Sequence, residues 1–344
     1  MENSDRVYLK LFSGFLSAVI FVFILKELKG IFIPFFIALL LYFLFNGVVN
    51  RLLYWRVPKT IVMTFLLVFI FILLYFFGLL IFSGISSFVD KFPEYNVRIS
   101  EIAKNISHNL KLPVKELQNQ INNYDWTNIF GHVTQFLSSA FGSFASFIGN
   151  LLFIVIFLIF MLGGRNSLMN RVRGAFSKER SESLISIVKS IENQVQHYLV
   201  LKTIVSFLTA FISGLIIYAG RFDFLLFSVI LIFILNFIPN IGSIFATAFP
   251  ILAGLLKYGF TMRVLLVSVG LMLTQMIIGN VIEPKFAGRN LDISPMVILI
   301  SLIFWGYVWG ITGMMLAVPL TSAIKIIFSH IELLKPVSKL MSSE

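Results

Sequence analysis

Few side chains in this sequence could do chemistry inside a membrane, and they gather beside breaks in apolar runs. Glu283 stands out, because it closes the apolar run 264–282, and a carboxylate there is costly unless paired or wet. Arg289 is its nearest basic partner in sequence, so the rival readings are a functional carboxylate and an interfacial salt bridge capping a loop. As a functional group, Glu283 could bind a monovalent cation or exchange protons. Pro284 has no N–H to give, which would leave carbonyls free to coordinate sodium, and Gly288 continues the polar link. Gln275 and Asn280 lie five apart on the preceding span. They share no clean helical face, and one of them is expected to point inward. Asn236 and Asn240 flank Pro239, just before Gly242, and offer neutral donors and acceptors suited to a polyol or a dehydrated ion. Lys202 sits about one turn inside another apolar run and is expected to snorkel to the interface rather than touch a ligand.

Other chemistries have no residues to carry them. There is no His-Glu-x-x-His, no Gly-x-Ser-x-Gly and no aspartate inside an apolar run, so an intramembrane enzyme is not expected. His108, His132, His197 and His330 all fall outside the apolar runs. They read as solvated residues, and no metal is assigned. With no cysteine, disulfides, thiolate metal sites and cysteine nucleophiles are excluded. No Gly-x4-Gly-Lys loop is present, so uphill transport would draw on an ion gradient. No cofactor is implied beyond a coupling ion, Na+ or H+.

These groups sit in 344 residues that are 58% hydrophobic and only 12% charged, with a mean hydropathy of +0.94. Such values lie far outside those of a soluble domain, and the lipid bilayer is the first partner. The 39 Phe and the long Leu/Ile/Phe runs argue for helices, since membrane strands would alternate apolar and polar positions. The net charge of +11 comes from short basic loops beside apolar runs. That is a topogenic pattern and implies no nucleic acid.

The elements that must position the candidate groups can be read from the runs. Spans are expected over 8–25, 31–49, 60–82, 146–162, 199–218 and 264–282. The first two should form a tight hairpin through 26–30, with Pro34 in a first turn. Arg51, Arg56 and Lys59 mark a cytoplasmic loop, placing the N-terminus inside. Residues 84–145 balance five acidic against five basic side chains up to Asp125 and should form amphipathic extracytoplasmic helices, broken near Pro93 and Pro113. A basic cytoplasmic stretch precedes a stripe of Leu184, Val188, Ile191, Val195 and Tyr198, an amphipathic helix lying on the bilayer or on the protein. Around Asn236–Gly242 the arms are about 15 and about 16 residues long, short of the roughly 20 a span needs. This knot is either an interfacial turn or the tip of a re-entrant hairpin. The run 293–327 is too long for one span and is punctured by Gly306, Gly310 and Gly313, read as close-packing sites in a second hairpin. The organisation is therefore scaffold spans over 1–83, an outer segment over 84–145, a fourth span and basic helix over 146–198, a transport core over 199–327, and a cytoplasmic tail over 328–344. The expected fold is all-α: a polytopic helical membrane protein with about six full spans, two broken hairpins and an inverted-repeat core.

Ile238-Pro239-Asn240-Ile241-Gly242, Glu283-Pro284 with Gly288-Arg289, Ser294-Pro295, and Gly310-Ile311-Thr312-Gly313 through Ala317-Val318-Pro319-Leu320 resemble the AI-2E family of bacterial transporters. Tyr198-Leu199 also fits, and the likeness in layout covers nearly the whole chain. The resemblance implies a homo-oligomeric secondary transporter, in the form of a pentamer, of the bacterial inner membrane. Family members are linked to quorum-sensing signal export and to exchange of sodium or lithium for protons, so the expected partner is a small polar solute or a monovalent cation. An oligomeric channel or structural membrane protein is the reading from another class. Two positions depart from the family pattern. Ser294 stands where a histidine is usual, and Asn240 where an aromatic is frequent.

Overall fold

The protein is described by a computed structural model over residue 14 and residues 16–17, 19–109, 150–164, 167–287 and 292–343. Among the described residues every regular element is helical. Lipid leaves no other choice for runs of this composition, because each backbone N–H and C=O must find its partner within the segment. Six helices are long and apolar enough to cross a membrane: Lys29–Tyr54, Lys59–Gly84, Lys178–Ala219, Ile241–Tyr258, Met262–Phe286 and Pro295–Ser329. A seventh span arises if Asn150–Gly164 and Ser167–Ala175, bent by 60°, are taken together. Large apolar side chains such as Phe65, Phe71 and Phe76 stay exposed along the second of these helices, as lipid-facing residues should. The chain is a multi-pass helical membrane protein.

In chain order the elements are α1 (residues 19–27), α2 (Lys29–Tyr54), α3 (Lys59–Asn109), α4 (Asn150–Gly164), α5 (Ser167–Ala175), α6 (Lys178–Ala219), α7 (Leu225–Leu235), α8 (Ile241–Tyr258), α9 (Met262–Ile277), a π-turn (Ile278–Ile282), α10 (Glu283–Ala287), α11 (Pro295–Ser329) and α12 (Lys335–Leu340).

Several expectations are corrected here. The turn foreseen over 26–30 shrinks to Leu28 alone, and Pro34 lies buried inside α2 rather than in a first turn. α3 runs for 51 residues straight through Pro93, without the expected break; Pro113 lies outside the described residues. The basic helix and the fifth span fuse into α6, 42 residues long. The foreseen stripe divides along it: Leu184 and Val188 are exposed, with Ser181 and Ile185 buried in their place, whereas Val195 and Tyr198 are buried as foreseen. The link expected after residue 282 begins as helix, since α10 carries on to Ala287.

The chain divides into two compact units, residues 1–64, 149–200 and 289–344, and residues 65–148 and 201–288. In the first, Phe35 meets Phe157 edge-on, and the Tyr42 hydroxyl donates to the buried Glu192 carboxylate at 3.1 Å. α11 is not straight. Trp309 (φ −129°, ψ 15°) and Gly310 (φ 64°, ψ −143°) interrupt it, and Ser301 Oγ then lies 2.6 Å from Thr321 Oγ1 and 3.1 Å from the Ala317 carbonyl. In an unbroken helix residues 301 and 321 would stand about 30 Å apart, so the second hairpin foreseen from the glycines is present.

In the second unit α7 and α8 form the first hairpin. α7 has 11 residues and reaches about 16 Å, while α8 has 18 and reaches about 27 Å. Lipid supplies no hydrophobic drive between helices, so close approach must do the holding, and small residues permit it. Val229 packs against Gly214, Val267 against Gly220 and Ile216 against Gly270. Around these contacts Ala210, Ile217, Phe222, Ile232, Ala246, Val264, Val267 and Leu271 make a buried apolar core.

Candidate functional site

In this second unit Glu283 is paired, though not with the residue expected. Lys202 Nζ lies 2.5 Å from Glu283 Oε1, with the lysine side chain 4% exposed and the carboxylate 23%. Lys202 therefore does not snorkel; it is buried and held by a residue 81 positions later in the chain. Arg289, proposed as the partner of Glu283, lies outside the described residues, as does Gly288. The backbone explains how Glu283 is presented. Pro284 cannot donate an N–H, and just before it the helix widens into a π-turn in which the Glu283 N–H bonds to the Ile278 carbonyl. A π-turn inserts one residue and rotates the rest of the helix, which aims Glu283 back toward α6.

One turn along α6, Ser206 Oγ accepts a hydrogen bond of 3.0 Å from Asn236 Nδ2, and both residues are buried. Asn236 is the residue at which α7 ends. Beyond it the chain reverses tightly. The Ile241 N–H bonds to the Pro239 carbonyl at 2.6 Å, closing a three-residue turn on Asn240, whose φ is 59° and ψ −56°. This mirror-image γ-turn is strained for a residue with a Cβ. Asn240 itself is exposed, and Ser243 Oγ donates to its carbonyl at 2.8 Å. Gly242 serves the turn rather than a ligand: a Cβ there would stand 1.7 Å from the Leu235 carbonyl oxygen.

The remaining candidates divide. Gln275 is partly buried, and its Nε2 has no hydrogen-bond partner; Asn280 and Pro284 are exposed. Gln275 is thus the inward member of the Gln275 and Asn280 pair. The structure brings together Glu283, Asn236 and two residues that spacing had not selected, Lys202 and Ser206. The signal was present, because Lys202, Ser206, Thr209 and Ser213 recur at four, three and four residues and make a polar stripe on a membrane helix. All four are buried.

A buried ion pair beside a helix widened by a π-turn, near a short hairpin with a polar tip, fits the way helical membrane transporters present backbone and charge without meeting lipid. Comparison with known proteins narrows that class. The family model described as AI-2E family transporter matches residues 15–333, and the chain belongs to that family. It is 32% identical over 325 residues to a protein named for transport in Borreliella burgdorferi, covering 93% of this chain and 87% of the relative. It is 31% identical over 302 residues to the AI-2 transport protein TqsA of Escherichia coli, covering 86% and 85%. A protein of Haemophilus influenzae, also named for transport, is 30% identical over 333 residues, covering 95% and 94%.

Proposed function

We propose that this membrane transport protein is a secondary transporter that moves a small polar solute by alternating access, with Lys202, Glu283, Ser206 and Asn236 at its working centre. The buried Lys202–Glu283 pair carries this reading. Taking two charges out of water costs several kcal/mol per ion before their attraction offsets it. A purely structural contact at this place could be made by apolar side chains at no such cost, so the pair is best explained as a group that changes partners when a solute or ion arrives. Asn236 and Ser206 beside it offer neutral donors and acceptors and suit a hydroxyl-rich solute. The autoinducer-2 in the name of the Escherichia coli relative is accordingly the first solute to try.

A second reading keeps the same residues. The Glu283 carboxylate, 23% exposed, could pass between Lys202 and a monovalent cation or a proton, giving Na+ or Li+ exchange for H+. The N- and C-termini on the cytoplasmic side of a bacterial inner membrane, the homo-oligomeric and pentameric assembly, and a core of the last elements moving against scaffold spans belong to the same proposal. Purified protein in liposomes tests the two readings together, under an imposed sodium gradient with an internal pH dye, comparing wild type with Glu283→Gln. Saturable sodium-driven proton movement that is lost in the variant supports exchange. Absence of proton movement in both proteins, with saturable uptake of the solute in wild type alone, supports solute transport. Neither flux in the wild-type protein refutes both.

A further inference from the structure

The polar groups of α6 do not end at the ion pair. Ser213 on α6 and Ser228 on α7 are both fully buried, and neither hydroxyl has a hydrogen-bond partner. Gln275 Nε2 on α9 is in the same condition. The contacts already described fix their levels. Asn236 with Ser206 and Val229 with Gly214 set an antiparallel register between α7 and α6 that brings Ser228 and Ser213 within about one residue of the same height. Lys202 with Glu283, Ile216 with Gly270 and Gly220 with Val267 set the register of α9, placing Gln275 between the heights of Ser206 and Ser213. Buried polar side chains of α6, α7 and α9 thus recur at successive heights for about 16 Å from the ion pair, roughly half the hydrocarbon core, and define a seam.

Close packing alone does not account for it. Small residues let helices approach, yet Ala210 and Gly214 do this on the same helix without a hydroxyl to satisfy. Buried hydroxyls elsewhere in the unit return to their own helix: Thr209 bonds to the Val205 carbonyl, Thr247 to that of Ser243 and Thr274 to that of Gly270. Ser213 and Ser228 do not. A buried polar group left unpaired is costly, and three of them at neighbouring heights argue for another arrangement of the same helices in which they are met. The seam is also neutral below its first pair. No ionisable side chain lies on α6 between Lys202 and Tyr218, or on the chain between Arg263 and Glu283. Beyond Ser213 it closes against Ile217 and Leu271, both fully buried carbon.

The geometry points to Ser213, Ser228 and Gln275 as further residues of the transport path, facing water and the hydroxyl or amide groups of a neutral solute when the α6–α7–α9 seam opens, with Ile217 and Leu271 as the plug beneath them. This rests on the reading that the Lys202–Glu283 region carries transport, but it is tested without knowing the solute. The chain has no cysteine, so single Ser213→Cys and Ser228→Cys variants carry one thiol each. Ile232→Cys and Ala246→Cys place a thiol in the buried apolar core as dry references. Each protein, in liposomes with and without a sodium or pH gradient, is exposed to the membrane-impermeant thiol reagent methanethiosulfonate ethyltrimethylammonium. Labelling of the same samples in sodium dodecyl sulfate proves that every thiol is present and reactive. Ser213→Cys and Ser228→Cys should react at least about ten-fold faster than both references under one of these conditions. Rates equal to the references under all of them would overturn the assignment, while leaving the flux test of Glu283 untouched.

Discussion

The two broken hairpins solve the same backbone problem and put different chemistry at the break. Each pairs a short first arm with a longer second one, and each closes so tightly that only glycine fits. A Cβ on Gly242 would stand 1.7 Å from the Leu235 carbonyl oxygen, and one on Gly313 would stand 1.9 Å from that of Trp305. The surroundings then diverge. The first break ends in Asn236, bonded to Ser206, and in a strained exposed Asn240. The second is wrapped in aromatic rings: Trp309 lies 4.9 Å from Trp305 and 5.4 Å from Phe36 between centroids, and Trp309 Nε1 donates to the Leu25 carbonyl at 2.9 Å. A break satisfied by neighbouring backbone and aromatic packing is a fastening. One met by neutral side-chain contacts, next to a buried charge pair, can exchange such a contact for a ligand. The lesson is that helix breaks in a membrane are sorted by what meets the freed polar groups, not by the break itself.

The largest effect should be common to both hairpins. Gly242→Ala and Gly313→Ala each force backbone apart and should cost roughly 3 kcal/mol or more, read as a large drop in thermal stability in detergent; tolerance of either would show that the hairpin concerned can open locally. Next comes the ion pair, which has no counterpart at the second break among the described residues. Lys202→Met leaves the Glu283 carboxylate unpaired and should cost about 3 kcal/mol, whereas Lys202→Met with Glu283→Gln should recover most of the stability and none of the flux. Recovery of flux as well would reduce the pair to a structural contact.

Smaller substitutions separate the hairpins. Asn236→Ala should lower flux at least about ten-fold with a stability loss of about 1 kcal/mol, while Trp309→Phe should cost about the same stability through the lost bond to Leu25 and leave the apparent KM unchanged. Equal effects on KM would erase the distinction between working break and fastening. The smallest effect concerns the anchoring of the second hairpin. Lys325 and Ser343 both bond to the Asp292 carboxylate and hold its pKa well below the usual carboxylate value. A lowered folded-state pKa stabilises above the unfolded value of about 4 and loses that contribution as pH falls toward the folded one. Protease protection of the segment after Ser329 should therefore be flat from pH 7 to about 5 and fall below about pH 4, and Asp292→Asn should make it weaker at pH 7 and independent of pH.

Much of this was legible in the residues. The apolar runs over 31–49, 60–82, 199–218 and 264–282 each fall in a helix long enough to span, whereas Ile241–Tyr258, read as too short an arm, is also long enough; Pro239 and the glycines after Ser301 gave both breaks, and Glu283 and Asn236 were selected because polar groups in such runs are costly. At α6 periodicity left open whether the stripe met lipid or protein, and the structure divides it, with Leu184 and Val188 exposed and Val195 and Tyr198 buried, because an apolar face turned to lipid looks like one turned to protein. Pro93 misled, since α3 continues past it.

Residue order alone settled membrane residence, helicity, the breaks at Pro239 and at Gly310 and the family, since each depends on local composition or on motifs within a few residues. Only the tertiary structure decided that Glu283 answers to Lys202, that Ser206 meets Asn236, and that Gln275 rather than Asn280 turns inward. Those pairings depend on helix registers set where small residues such as Gly214, Gly220 and Gly270 meet Val229, Val267 and Ile216 on other helices. Spacing along one helix carries no record of which turn of another it will face.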